Sequence, residues 1–289
     1  MKMYINEKSI NSYLNWLYQN EKSGQTIEKY RRFLFRFSAY LDTDIFGKEE
    51  LITWKSQLKC RYSPVTVNGA IASLNGYLKY MGWSDAVINY LRIKKCAFCP
   101  EQKELKREDY ASLVLAAKRK GNERLAMILQ TVCSTGIRIS ELQYVTVDSV
   151  EKRRMMVECK GKVRMVFFPS KLCKCLKQYC QKQGIRSGKI FITRSGNVID
   201  RSNIWREMKK LGEDANVSDD KIYPHNLRHL FARVYYDQEK DLSRLADILG
   251  HCSTNTTRIY TMESGEQHIQ QLEKMNLIIR ENNGIPLLL

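Results

Sequence analysis

Between residues 94 and 108 the apolar periodicity of the chain lapses, and KKCAFCPEQKELKRE combines Lys, Arg, Glu and a Pro with no repeating apolar position. Such a stretch reads as an exposed interdomain linker. It splits the 289-residue chain into residues 1–95, a linker at 96–103 and residues 104–289. A chain of this length can fill two cores that share a functional cleft. A charged loop inside one domain is the alternative. Against it stands the helical pattern that resumes at once at Tyr110, Leu113 and Leu115.

In the first part, Ile27, Tyr30, Leu34, Phe37 and Leu41 recur at spacings of three and four, which is one face of an amphipathic helix over 24–42. Similar readings over 6–19, 47–59 and 64–81 give about four helices, with Gly24, Gly47, Ser63 and Gly82 near their ends. The second part is mixed. Helices are expected over 109–119 and 123–134, followed by a hairpin in which RRMMVEC and VRMVFF flank a Lys160-Gly161-Lys162 turn. A short strand around 189–193, an RSGN loop and a helix carrying Trp205 and Met208 follow. The expected class is mainly α with a small antiparallel β-sheet.

The charge is +17, from 48 Lys and Arg against 31 Asp and Glu, which is the electrostatic footprint of a nucleic-acid partner. Residues 1–95 hold 15 basic and 8 acidic side chains, so both parts carry a surplus. A surplus shared in this way suggests that both parts touch a polyanion. Nine cysteines, irregularly spaced and without a signal peptide, read as reduced thiols in the cytoplasm. Cys96 and Cys99 form one C-x-x-C pair without a second pair at zinc-site spacing, so idle thiols are the expectation, as for Cys173, Cys175 and Cys180. No apolar run approaches the roughly 20 residues that cross a bilayer.

Four segments of the second part carry chemistry. In STGIRISEL, Arg138 follows a Thr135-Gly136 break at the start of the next helix, where its fork of donors suits an oxyanion; a surface pair with Glu141 is the commoner fate of an arginine so spaced. Lys160 and Lys162 tip the hairpin, and a protonated lysine there can donate to a departing alkoxide, although turn lysines are usually only solvated. In YPHNLRHLFA, Pro224 starts a helix that puts His225 and Arg228 on one face, with His229 pointing away from them. In LADILGHCSTNTTRIYTM, Gly250 caps a helix, His251 follows, and Ser253 to Thr257 offer N-caps for a short helix bearing Tyr260. A tyrosine so placed is, taken alone, a core aromatic.

Together these segments resemble the tyrosine recombinase (integrase) family: R-x-S-E in TGIRISE, K-G in CKGK, H-x-L-R-H in PHNLRH, and L-G-H followed nine residues later by Tyr, in the family's order and spacing. The resemblance extends through KIFITRSGNVI and so over essentially the whole second part, whereas the first is similar only in helical layout and position. It implies a helical core-DNA-binding (SAM-like) domain at 1–95 and a catalytic domain at 104–289. Carried over residue by residue, the family's catalytic set falls on Arg138, Lys160, His225, Arg228, His251 and Tyr260. Lys160 is chosen over Lys162 because it directly precedes Gly161; the turn is about one residue shorter than in many members.

The resemblance implies that Tyr260 attacks a phosphodiester to leave a 3′-phosphotyrosine, with His225 as base, Arg138, Arg228 and His251 on the phosphate and Lys160 protonating the leaving 5′-oxygen. Bond energy is kept in the intermediate, so no metal or nucleotide cofactor is expected. It also implies a clamp on double-stranded core sites, a homotetramer on paired sites, accessory DNA-bending or directionality proteins, and a C-terminal segment docking on its neighbour. Residues 264–281 read as a helix with Ile269, Leu272 and Met275 on one face, ahead of an apolar IPLLL tail. The expected role is integration or excision of a mobile element. Xer-type dimer resolution, a type IB topoisomerase-like activity and a DNA-binding protein that does no cutting are the alternatives.

Overall fold

A computed structural model describes residues 3–93, 104–159, 162–193, 195–251, 254–258, 269, 272–275, 277, 279–282 and 285–288. The chain forms two compact units, Met1–Lys95 and Cys96–Leu289.

In the first unit, β1 (Met3–Tyr4), α1 (Glu7–Gln19), α2 (Gly24–Ser38), β2 (Ile45–Phe46), α3 (Lys48–Arg61) and α4 (Pro64–Tyr80) follow one another. The helix starts are set by local hydrogen bonds. Asn6 and Ser9 cap α1 reciprocally, Ser23 and Ser63 accept from the N–H groups of Thr26 and Thr66, and Pro64 occupies the first turn of α4, where its missing N–H costs nothing. Leu34 and Phe37 of α2 meet Ile10, Leu14 and Leu17 of α1, Trp54 and Leu58 of α3, and the buried face of α4. α2 stops at Ser38, short of the expected residue 42. The chain beyond it is drawn into pairing with the N-terminus, as the Ile5 N–H donates to the Asp44 carbonyl and Met3 pairs with Phe46. Leu41 still packs on the core from outside the helix, so its spacing is preserved while the helix is not.

The second unit contains α5 (Arg107–Arg119), α6 (Glu123–Thr135), a 3-10 helix (Ile139–Tyr144), α7 (Val147–Glu151), β3 (Arg154–Cys159), β4 (Lys162–Phe167), α8 (Ser170–Lys182), α9 (Arg201–Lys209), α10 (Gly212–Ala215), α11 (Pro224–Glu239), α12 (Leu242–Leu249), α13 (Thr254–Arg258), β5 (Ile279–Asn282) and β6 (Ile285–Leu288). The core is built around α6, whose Leu125, Ile128, Leu129 and Val132 are buried, with α5, α8, α9 and α11 packed about it. All three sheets of the described residues are two-stranded and antiparallel, so the protein is mainly helical with small antiparallel sheets. Among the described residues no helix is long and apolar enough to cross a membrane.

Several sequence expectations need correction. The charged stretch is not exposed to its end: Leu105 is buried, its carbonyl accepts from Arg233, and Lys106 caps α5 through Asp109. In the hairpin Cys159 pairs with Lys162, so Lys162 opens β4 and only residues 160 and 161 separate the strands. The strand expected at 189–193 reduces to two isolated bridges, Thr146 with Lys189 and Ile192 with Val198, neither pairing being continued by a strand among the described residues. The helix expected over 264–281 gives way by residue 279 to the β5–β6 hairpin, in which Ile279 pairs with Leu288. Cys96, Cys99, Lys160, Gly161, Ser253, Tyr260 and most of 261–278 lie outside the described residues. Cys173, Cys175 and Cys180 on α8 are free thiols.

Candidate active site

The site is assembled where α6 ends. Gly136 closes α6 in the left-handed conformation, with φ of 67°, which a residue bearing Cβ adopts only at a cost. Space forbids a side chain as well, since a Cβ there would lie 2.4 Å from Phe231 Cδ1. The turn delivers Arg138 to the N-cap of the 3-10 helix. There its backbone N–H donates to Glu141 Oε2 at 2.8 Å and its Nη1 to Glu141 Oε1 at 2.9 Å.

The pairing of Arg138 with Glu141 is therefore made, but it is not a surface pair. Glu141 is 3% exposed, and Arg164 of β4 completes it with a two-pronged contact, Nη1 to Oε1 at 3.0 Å and Nη2 to Oε2 at 2.7 Å. Burial alone would raise the Glu141 carboxyl; hydrogen bonds from Arg164 and Arg138 and the Arg164 charge outweigh it and hold the pKa below the ordinary value. The stem of Arg164 lies against Gly250, the left-handed cap of α12, where a Cβ would come within 2.7 Å of Arg164 Cδ.

Arg228 on α11 is 1% exposed. Its Nη1 donates to the Gly136 carbonyl and its Nη2 to the Leu249 carbonyl, each at 2.7 Å, so it joins the C-terminal ends of α6 and α12. Nη2 also lies 2.9 Å from His251 Nε2. Guanidinium offers no acceptor, so His251 Nε2 must accept, and its Nδ1–H donates to Thr257 Oγ1 on α13 at 2.8 Å. Burial, then the charges of Arg228, Arg138, Arg164 and His225, push His251 down to about 4. It is a neutral imidazole at neutral pH.

His225, in the first turn of α11, is also lowered, first by burial and then by Arg228, Arg138 and Arg201. The sequence reading that turned His229 away from this group is corrected. Four residues apart on one helix face, the two imidazoles meet edge to face with centroids 4.6 Å apart. Burial and the neighbouring His225 and Arg228 push His229 down to about 4.

The structure thus brings Arg138, His225, Arg228 and His251 into one electrostatic neighbourhood, while Lys160 and Tyr260 lie outside the described residues. Two fixed cations beside two neutral imidazoles can hold an oxyanion and accept a proton. No group of His, Cys, Asp and Glu among the described residues is arranged to hold a metal ion. Sequence reasoning missed Arg164, Thr257 and the buried role of Glu141. For Arg164 a signal existed: alternation along VRMVFF puts it on the same strand face as Val166, which is buried, and an arginine on a buried face needs a partner.

The phage integrase family model matches residues 103–267. Tyrosine recombinase XerA of Pyrococcus furiosus is 25% identical over 285 residues, covering 95% of this chain and 96% of that protein. Tyrosine recombinase XerD of Listeria innocua is 26% identical over 265 residues, covering 83% and 88%. The fold is shared with a lambda integrase dimer bound to a COC′ core site, with a TM-score of 0.73, 15% identity and 91% and 97% of the two chains covered. It is shared also with XerH recombinase bound to palindromic difH in a post-cleavage complex, with a TM-score of 0.68, 18% identity and 94% and 89% covered. The match over more than half of the chain, on the segments that build the site, establishes that this protein belongs to the phage integrase family and is a site-specific tyrosine recombinase.

Proposed function

We propose that the chain cuts and rejoins double-stranded DNA at core sites with Tyr260 as nucleophile and Arg138, Lys160, His225, Arg228 and His251 as the groups that serve it. One observation carries this assignment: Arg228 is buried, oriented by two main-chain carbonyls and joined to His251, with Arg138 fixed nearby on Glu141. Such preorganised donors stabilise the charge that builds on a phosphoryl group in transfer.

In this reading Tyr260 Oη attacks phosphorus and gives its proton to His225, whose lowered pKa keeps a lone pair available at neutral pH. The bond from phosphorus to the 5′-oxygen breaks, and Lys160 protonates that oxygen. Arg138 offers its outer donors to a nonbridging oxygen. Arg228 Nη2 exchanges His251 Nε2 for another, while keeping the Leu249 carbonyl. A tautomer change then lets His251 Nε2–H donate to the phosphate, with Nδ1 accepting from the Thr257 hydroxyl, which can donate as readily as accept. Attack on the 3′-phosphotyrosine by a 5′-hydroxyl of the partner duplex reverses these steps and completes exchange without a nucleotide cofactor.

The proposed setting is a homotetramer on paired sites in the cytoplasm, with accessory DNA-bending or directionality proteins, in integration or excision of a mobile element. Xer-type dimer resolution is the second reading, favoured by the near full-length coverage of both chains in the match to XerA. The test is incubation of wild type and Tyr260→Phe with labelled duplex carrying a candidate core site and a nick beside the cleavage point. A 3′-linked covalent adduct absent from the variant is expected. Specific binding without any adduct would leave a DNA-binding protein that does not cut.

A further inference from the structure

We infer that Arg164, outside the six catalytic positions, is a positioning residue that neutralises Glu141 so that the charge of Arg138 remains available to the scissile phosphate. The inference rests on the recombinase reading of this site.

The geometry is a three-residue bridge in which a single carboxylate serves two arginines. Glu141 Oε1 accepts from Arg138 Nη1 and Arg164 Nη1, and Oε2 accepts from the Arg138 backbone N–H and Arg164 Nη2. Without Arg164, the buried carboxylate would have Arg138 as its principal counter-charge. That pair is neutral, and an approaching phosphodiester would meet little net field. With Arg164 the trio carries one net positive charge. The distribution of exposure places that charge: the Arg138 side chain is 32% exposed, against 11% for Arg164 and 4% for Glu141. Arg164 is thus the inner counter-ion and Arg138 the outer one that faces a ligand.

Arg164 is also set where a positioning group is needed. It lies on β4, four residues beyond Lys160. Its stem rests on Gly250, one residue before His251, so closely that a Cβ at Gly250 would meet Cδ at 2.7 Å and Nη1 at 3.0 Å. β4 packs on α12 and the 3-10 helix packs on β3. One side chain therefore ties the lysine hairpin, the Arg138 turn and the His251 cap to the same carboxylate. Lysine in its place would keep the charge but could not fork both oxygens.

The experiment measures single-turnover adduct formation on the nicked duplex, with either a normal phosphodiester or an uncharged methylphosphonate at the cleavage point. Wild type, Arg164→Lys, Arg164→Met and the double variant Glu141→Gln with Arg164→Met are compared, with DNA affinity and melting temperature recorded beside the rates. Arg164→Met is expected to slow the phosphodiester reaction roughly 10- to 100-fold, with affinity nearly unchanged and a much smaller loss on the methylphosphonate. Arg164→Lys should fall between, and it carries the comparison if Arg164→Met does not fold. The double variant should recover part of the rate, because removing the carboxylate removes what Arg164 neutralises. Equal slowing on both substrates, no recovery in the double variant, or wild-type rates throughout would overturn the inference alone. Absence of any adduct with wild type would overturn the recombinase reading and this inference with it.

Discussion

Arg228 Nη2 lies 2.9 Å from His251 Nε2, an arrangement that fixes the tautomer of His251 and directs its Nδ1–H to Thr257 Oγ1. Thr257 is fully buried, and its hydroxyl accepts from that nitrogen. Thr257→Val keeps the shape and removes the partner. Single-turnover cleavage should slow about tenfold, with DNA affinity retained and stability lowered by about 1 kcal/mol. A wild-type cleavage rate in this variant would show that the tautomer of His251 does not bear on the reaction.

Gly136→Ala should be among the most destabilising single-methyl additions in the protein. The left-handed backbone costs about 1–2 kcal/mol for a residue with Cβ, and the 2.4 Å approach to Phe231 adds an overpacking cost of about 1–3 kcal/mol. Because the Gly136 carbonyl accepts from Arg228, the shift should also slow cleavage beyond the loss of folded protein. Denaturant unfolding and cleavage at saturating DNA measure the two effects separately. A change in stability within experimental error would mean that Phe231 yields more easily than its packing implies.

The parts of this structure that were legible in sequence are those whose physics is local. Leu34 and Phe37 mark the buried face of α2 by spacing alone, and Gly136 and Gly250 mark helix ends by backbone chemistry alone. The R-x-S-E and H-x-L-R-H segments carry a family pattern, so Arg138, His225 and Arg228 could be named before any distance was known. What escaped depends on partners distant in sequence. The join of Arg164 to Glu141 spans 23 residues, and that of Arg228 to the Leu249 carbonyl spans 21. The ribbon of Met3 and Tyr4 with Ile45 and Phe46 is two residues long, too short for an alternating pattern to register. His225 has helical neighbours at both i+3 and i+4, so Arg228 and His229 both fall beside it, and the i,i+3 spacing alone does not reveal the second contact.

A steep response to salt is expected of the interaction with duplex DNA. With a charge of +17 and a basic surplus in both units, six or more phosphate contacts would give a slope of log affinity against log salt of roughly −5 or steeper. Titrations between about 50 and 200 mM salt should then show a loss on the order of a thousandfold. A slope shallower than about −2 would mean that most of the basic surplus faces solvent.

Removing residues 284–289 deletes β6 and leaves β5 without its partner strand. If the apolar tail docks on a neighbouring protomer, the truncated chain should keep its affinity for a single core site, lose assembly on paired sites and form adduct without completing exchange. Gel-shift and strand-exchange assays distinguish these steps. Unchanged assembly and exchange would remove the tail from the interface.

Acid should destabilise the second unit through its histidines before its carboxylates. His229 and His251 each ionise near 4 when folded, against an ordinary value of 6.5. Between those values the unfolded chain binds protons that the folded chain refuses, so the stabilising effect is complete above about pH 6.5 and is lost as pH falls towards 4. Glu141, held below its ordinary value, acts with the same sign further into acid. His229→Phe keeps an aromatic edge against His225 and removes one titrating group. Its melting temperature should decline less steeply than that of wild type over that window; apart from the constant effect of the substitution, the two curves should coincide above about pH 6.5 and separate towards the acid end. Parallel curves would mean that His229 takes up its proton without leaving the folded state, and that its burial beside His225 and Arg228 is looser than the 4.6 Å ring contact indicates.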